Sequence, residues 1–189
     1  MTFKLVLAAL VFIIHFVFIP SANARTIAEL GIHTGGDEMT LVDDSNVVIE
    51  STKAGKLYSL ALGGTLALSD KTEAQFTFGI KSDSNFTTNS EASWVRYPFN
   101  AILFYNYENF RLGLGATAHL FSKYKVSGDT KNASSTFKNS IGGLLEIDYR
   151  VAKQLHLGLR YTNIQYERED DGRRFDGNSI GLLLILLME

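Results

Sequence analysis

Between Leu57 and Lys81 the chain alternates two kinds of residue along two arms. In the first arm Tyr58, Leu60, Leu62, Gly64, Leu66 and Leu68 share one parity, and Ser59, Ala61, Gly63, Thr65 and Ala67 share the other. Successive side chains of a strand point to opposite faces, so a period of two predicts a strand with one oily face. Ser69 to Thr72 supply a polar turn, after which Ala74, Phe76, Phe78 and Ile80 alternate with Glu73, Gln75, Thr77, Gly79 and Lys81. Two such runs about a short turn predict a hairpin. One face is large and aliphatic or aromatic, the other small, polar or charged, which is the pattern of strands that cross a membrane.

The pattern recurs. Ala28, Leu30 and Ile32 oppose Glu29, Gly31 and His33 in the first strand, and Tyr97, Phe99, Ala101, Leu103, Tyr105 and Tyr107 oppose Arg96, Pro98, Asn100, Ile102, Phe104 and Asn106 in the fourth. The fifth sets Phe110, Leu112, Leu114, Ala116, Ala118 and Leu120 against Arg111, Gly113, Gly115, Thr117 and His119. In the sixth, Ile141, Gly143, Leu145, Ile147, Tyr149 and Val151 face away from Ser140, Gly142, Leu144, Glu146, Asp148 and Arg150. The seventh sets Leu155, Leu157, Leu159 and Tyr161 against His156, Gly158, Arg160 and Thr162, and the eighth runs from Ile180 to Met188. Short turns alternate with loops of roughly ten to twenty polar residues, the order of bacterial outer-membrane barrels with both chain ends on the periplasmic side. The fold class expected is therefore all-β: an eight-stranded antiparallel up-and-down transmembrane β-barrel.

Charge supports that choice of outside. About 40 positions on the oily parity lack any charged residue, an outcome of roughly one in ten thousand by chance when 20% of the chain is charged. Charge facing lipid at mid-bilayer costs about 2 to 4 kcal/mol, whereas a lumenal charge finds a partner. A soluble barrel of the lipocalin type also alternates, but it would put Leu, Phe and Tyr inside. Here the charged parity carries Gly63, Gly79, Gly113, Gly115, Gly142 and Gly158, small residues suited to a narrow, crowded interior.

Met1 to Lys4 carries one positive charge, Leu5 to Ile19 is apolar apart from His15, and Ala22-Asn23-Ala24 forms an Ala-x-Ala site. Residues 1–24 are thus expected to be a cleaved secretory signal peptide and residues 25–189 the barrel, since the apolar run is short of a spanning helix. A chain of 189 residues with a net charge of -2 needs no second domain and lacks the basic footprint of a nucleic-acid binder. It has no cysteine, which excludes disulfides, thiolate catalysis and cysteine-bound zinc.

This architecture resembles the small eight-stranded outer-membrane barrels of Gram-negative bacteria, the OmpA, OmpX and OmpW group. Stretches such as Arg96-Tyr97-Pro98, Leu103-Phe104-Tyr105 and Leu157-Gly158-Leu159-Arg160-Tyr161 are similar to those of bacterial outer-membrane barrel proteins. The resemblance implies residence in the cell outer membrane, contact with its lipid and lipopolysaccharide, and delivery to the barrel-assembly machinery; a monomer is expected. Family members usually finish on an aromatic residue, whereas this chain finishes Leu186-Leu187-Met188-Glu189. Leu183, Ile185 and Leu187 also fall on the lumen parity, where they are expected to form an apolar layer near the periplasmic mouth; an altered end that assembles poorly is the alternative.

The inward parity collects Glu29, Glu73, Lys81, Arg96, Arg111, Lys138, Glu146, Asp148, Arg150, His156 and Arg160. If the turn at Ala152 to Gln154 pairs Val151 with Leu155, Arg150 faces His156 and Glu146 faces Arg160 across the ladder. Buried charges persist when partnered, and eight strands enclose a space that side chains fill, so a plugged, salt-bridged lumen with a structural or surface-binding role is expected. A narrow passive channel for small or apolar solutes is the alternative. A lipid-modifying enzyme is a third reading, but His33, His119 and His156 show no Ser-His-Glu grouping at recognisable spacing, and neither catalysis nor a cofactor or metal is expected. In the loops, acidic runs at Asp37 to Glu50 and Glu167 to Asp176 read as solvated charge rather than calcium sites, while Lys123, Lys125 and Lys131 are candidates for lipopolysaccharide phosphate. Tyr58, Tyr97, Tyr105, Tyr107, Tyr149 and Tyr161, with Trp94, Phe99 and Phe110, read as interfacial girdles.

Overall fold

The computed structural model describes residues 24–42, 48–55, 57–86, 90–128 and 132–188. The expected signal peptide, Ala24 apart, and the terminal Glu189 lie outside the described residues. In chain order the strands are β1 (Ala24–Gly35), β2 (Glu38–Val42), β3 (Val48–Lys53), β4 (Leu57–Ala67), β5 (Thr72–Phe86), β6 (Ser90–Tyr107), β7 (Phe110–Gly128), β8 (Asn132–Thr136), β9 (Ser140–Arg150), β10 (Leu155–Asn163), β11 (Gln165–Glu167), β12 (Arg174–Asp176) and β13 (Ser179–Met188). Eight of them run β6-β5-β4-β1-β13-β10-β9-β7, and pairing of β6 with β7 closes the ring. Closure leaves no strand edge to be satisfied by water, the condition for sheet in hydrocarbon.

Register sets the two faces. Along β4 and β5, Leu60 opposes Ile80, Leu62 opposes Phe78 and Leu66 opposes Ala74 on the outside, while Ala61 opposes Gly79 and Thr65 opposes Gln75 inside. Glycine is required where these walls approach: a Cβ on Gly63 would stand 1.9 Å from the Phe76 carbonyl oxygen. The outer wall is apolar, with large side chains from Leu186 at 38% exposure to Ile141 at 80% standing free of any protein neighbour that would cover them. No soluble domain keeps so continuous an apolar girdle in water. The inner wall holds the buried Glu29, Glu73, Arg96, Arg111, Glu146, Asp148 and Arg160. The molecule is therefore a transmembrane barrel, apolar outside and polar within.

At one mouth the connections are tight: Ser69 Oγ accepts from the Thr72 amide at 3.1 Å, and Glu108 takes a positive φ of 54° in the turn between β6 and β7. At the other mouth the expected long loops are mostly sheet. β5, β6 and β7 extend for 15, 18 and 19 residues, beyond the roughly 9 to 11 that cross a bilayer. β2 pairs with β3, β11 with β12, and β8 with the end of β7. Beyond the bilayer neither face of a strand has to be oily, so the alternation that reveals a strand disappears while its hydrogen bonds continue.

A bulge changes parity within β7. Val95 pairs with Lys123 and Tyr97 with Leu120, so Arg96 faces two residues, Phe121 and Ser122, and Phe121 adopts a φ of 51°. Before the bulge His119 points inward; after it Ser122, Tyr124 and Val126 do, and Lys123 and Lys125 turn outward. Two assignments are corrected here. Trp94 is not in a girdle but fully buried inside the barrel, because it lies beyond the bilayer-crossing part of β6 on the inward parity. Lys138 is exposed, following β8 rather than lining the lumen. The remaining aromatics form two belts, with Tyr105, Tyr107, Phe110 and Tyr149 at the short-turn rim and Tyr58 and Tyr97 toward the loop end.

Candidate functional site

The lumen is built in layers. Toward the short turns, Ile27, Leu183, Ile185 and Leu187 make a buried apolar cluster, the layer expected from the parity of the last strand. Beside it, reaching the same mouth through Arg25, Glu73 and Arg111, runs a continuous ionic network. Arg160 Nη2 donates to Glu29 Oε2 at 3.0 Å and Oε1 at 3.1 Å, and its Nε donates to Glu146 Oε2. Gln75 Nε2 donates to Glu29 Oε1 at 2.7 Å, and Gln75 Oε1 accepts from Arg111 Nη2 at 2.6 Å. Arg111 also stands 3.2 Å from Glu73 Oε1 and 3.3 Å from Asp148 Oδ2, with its guanidinium 4.0 Å above the Phe104 ring. Arg25 closes the series on Glu73 Oε2 at 2.5 Å. The register responsible pairs Arg160 with Glu146 and Arg111 with Asp148 on adjacent strands.

Six of the residues singled out from parity, Glu29, Glu73, Arg111, Glu146, Asp148 and Arg160, thus share one network. Three do not. Arg150 opposes His156 in the ladder but lies exposed at the rim, donating to the Glu108 carbonyl at 2.6 Å. His156 is buried opposite Ile185, and its Nδ1 has no hydrogen-bond partner among the described residues. Arg96 belongs to a separate cluster toward the loops. Gln75 and Arg25 join the network without having been singled out. Gln75 shares its inward parity, but an uncharged amide gives no signal, and Arg25 sits at the start of its strand.

Between these regions Thr117 Oγ1 donates to Asn100 Oδ1 at 2.7 Å and Asn100 Nδ2 to Thr77 Oγ1 at 3.0 Å, a neutral rung across three strands. Higher still, Arg96 Nη1 donates to the Ala54 carbonyl at 2.6 Å and to the Tyr166 hydroxyl. The Tyr166 hydroxyl also shares a hydrogen bond with His119 Nδ1 at 2.6 Å. The Arg96 guanidinium lies 5.1 Å from the Trp94 ring and 4.8 Å from that of Tyr166. Trp94 packs edge-on to Phe137 at 4.6 Å and to Tyr166 at 5.6 Å, and Phe137 to Phe175 at 6.0 Å. This buried aromatic cluster, completed by Ala54, Leu57, Tyr124, Val126 and Ile164, lies across the loop-end mouth.

The loops above it are tied together. The Asp37 amide donates to the Asp176 carbonyl at 2.7 Å, the Asp176 amide to Asp37 Oδ2 at 2.9 Å, and the Glu169 amide to the Thr136 carbonyl at 3.0 Å. Lys138 bonds Glu167 and holds its carboxyl below the ordinary range; Arg168 and the Arg173 amide do the same for Asp171. Lys123 and Lys125 are exposed on the outer face of β7, and Lys131 lies outside the described residues. Among the histidines, His33 Nε2 meets Ser59 Oγ at 2.9 Å, but its Nδ1 has no hydrogen-bond partner among the described residues. That pair lacks the orienting carboxylate of a hydrolytic triad.

The closed ring, apolar wall and ionic interior define a small eight-stranded barrel of the outer-membrane type. Among solved structures the chain is similar to Ail, the attachment invasion locus protein of Yersinia pestis, with a TM-score of 0.55, 11% identity, and coverage of 87% of this chain and 97% of that one. It is also similar to Neisserial surface protein A, with a TM-score of 0.52, 12% identity, and coverage of 86% and 96%. At these identities the likeness is one of fold. No family model matches the chain, and no curated protein matches its sequence.

Proposed function

We propose that this protein is a plugged barrel of the Gram-negative outer membrane, serving a structural or surface-binding role through its loop cap rather than passing solute. One observation carries the reading: from the short-turn mouth to the loops the lumen is filled by an apolar cluster and an ionic network side by side, then a neutral rung, then an aromatic cluster, with Arg25 at the mouth the one half-exposed member. An eight-stranded barrel has room for side chains and little else, so these layers leave no continuous water path. The short turns and both chain ends then face the periplasm, after export on a signal peptide cleaved behind Ala24 and insertion by the barrel-assembly machinery. The folded cap faces outward as a monomer's binding surface. Lys123 and Lys125, exposed just beyond the bilayer-crossing part of β7, meet lipopolysaccharide phosphates. No step of this role uses a catalytic group or a cofactor.

The test is a planar-bilayer recording on purified protein whose heat-dependent gel mobility shows it to be folded. No unitary steps are expected. Reproducible steps of fixed size would overturn the plugged reading and leave the narrow channel in its place. Lys123→Glu with Lys125→Glu should weaken co-purification of lipopolysaccharide without altering gel mobility.

A further inference from the structure

The ionic network sets three cations, Arg25, Arg111 and Arg160, against four carboxylates, whereas the cluster above it has a local excess of cations. Lys81 and Arg96 stand directly opposite each other in the β5–β6 ladder, both buried and both on the lumen face. Like charges so placed repel, and the low dielectric of a barrel interior magnifies the effect. Asp83, one inward position further along β5 and opposite Trp94, is the acidic group whose field reaches Arg96, so the two cations carry one more charge than this carboxylate returns. Among the described residues no carboxylate pairs with Lys81.

Donors without acceptors lie at neighbouring inward positions of the same ladders. Arg96 uses Nη1 on Ala54 and Tyr166, whereas its Nε and Nη2 are buried without a hydrogen-bond partner among the described residues. Those two atoms form the side of the guanidinium that grips two oxygens, or one halide, in a fork. Trp94 Nε1, a group that can only donate, is equally unpartnered two residues away, and so is the hydroxyl of Ser122, which the bulge places opposite Arg96. His33 and His119 border this region, but His119 spends Nδ1 on Tyr166 and His33 spends Nε2 on Ser59. A water molecule accepts such bonds but leaves the local excess of positive charge around Lys81 and Arg96 in place.

We propose that Lys81, Arg96, Trp94 and Ser122 form a binding site for one small monovalent inorganic anion, enclosed beneath the aromatic cluster at the loop end of the lumen. The anion accepts the free donors and cancels the surplus charge, which makes it a part of the folded barrel. The site lies on the lumen side of β5, β6 and β7, above the ionic network and separate from it.

The test uses the purified barrel, refolded in detergent in sodium gluconate, whose anion is too large to enter, or in sodium bromide or nitrate at equal ionic strength. Heat-dependent gel mobility in any of these salts reports the barrel itself, so its failure is distinguishable from failure of the site. The expected result is an unfolding midpoint several degrees higher in bromide or nitrate than in gluconate, with an anomalous bromide peak between Lys81 and Arg96. Lys81→Met removes the repulsion as well as the site. Its midpoint should therefore lose the salt dependence and, in gluconate, rise above that of the parent. Coincident parent midpoints in all three salts, or a salt dependence undiminished in Lys81→Met, would overturn the proposal.

Discussion

Replacing Arg160 by Met probes whether the ionic network holds the lumen together. Arg160 is nearly fully buried and bridges two buried carboxylates, Glu29 and Glu146, contributed by strands on either side of it in the barrel. Glu29 keeps a bond from Gln75 when the guanidinium is removed, but Glu146 Oε1 has no other partner among the described residues. The lumen holds Arg25, Lys81, Arg96, Arg111 and Arg160 against Glu29, Glu73, Asp83, Glu146 and Asp148, so the change also tips a balanced interior to a net negative one. Breaking a buried pair by deleting one partner costs about 3 to 5 kcal/mol, and Arg160→Met falls in that range. Neutralising the orphaned partners in Glu29→Gln/Glu146→Gln/Arg160→Met should return most of the loss, because the cost lies in stranded charge rather than in the shape of the side chain. Urea titration in lipid vesicles measures both variants, with the single tryptophan as the fluorescent reporter and gel mobility as a second probe. A loss below about 1 kcal/mol for Arg160→Met, the worth of a solvated surface pair, would mean the network is bathed in water and refute the plugged lumen.

Glycine positions offer a paired comparison: Gly115→Ala puts a Cβ 2.3 Å from the Ala101 carbonyl and should cost about 1 to 3 kcal/mol, whereas Gly143→Ala meets nothing within 4 Å and should stay within about 0.5 kcal/mol by the same titration. Trp94, fully buried beneath the loop cap, should be poorly quenched both by aqueous acrylamide and by brominated lipid; strong quenching by the lipid would return it to the interfacial girdle. In the cap, Glu167 and Asp171 have carboxyls held below their ordinary range by Lys138 and Arg168, so their contribution is complete above that range and lost as pH falls through their lowered values. Limited proteolysis of the cap should accordingly accelerate in acid below about pH 4 while the barrel's gel mobility persists, and acid-indifferent cleavage would contradict the pairing.

The barrel was legible because lipid imposes a strict rule on one face of each strand. Every outward position between Tyr58 and Leu68 or between Phe110 and Leu120 must avoid charge, so parity alone identifies the inner residues and a short turn such as Val151 to Gln154 sets the register that joins Glu146 to Arg160. Where that rule lapses, so does legibility. Beyond the bilayer, β5, β6 and β7 continue as sheet with no oily face, and β2, β3, β8, β11 and β12 gave no periodic signal. The bulge at Phe121 was invisible because a left-handed residue in a strand has no mark in composition when it is not glycine or asparagine. Its effect was to hide Tyr124 and Val126 as inner residues and Lys123 as an outer one. Tyr166 escaped for another reason: it reaches Arg96 from a loop hairpin 70 positions along the chain, a contact that no local pattern encodes.

The two charged regions of the lumen differ in a way that bears on what the barrel is for. The network near the short turns links Arg25, Glu73, Arg111, Gln75, Glu29, Arg160 and Glu146 through contacts drawn from both sides of the closure seam, and loosening any one strand strands a charge. That arrangement rewards rigidity. The region near the loops is different: Arg96 is held by a carbonyl from the first loop, a hydroxyl from the last and two aromatic rings, so the cap and the upper wall share one cation. Moving the last loop takes the Tyr166 hydroxyl and ring away from Arg96, so the position of the cap and the environment of that cation are linked. Through these contacts the described part of the cap and the lumen beneath it are packed as one unit.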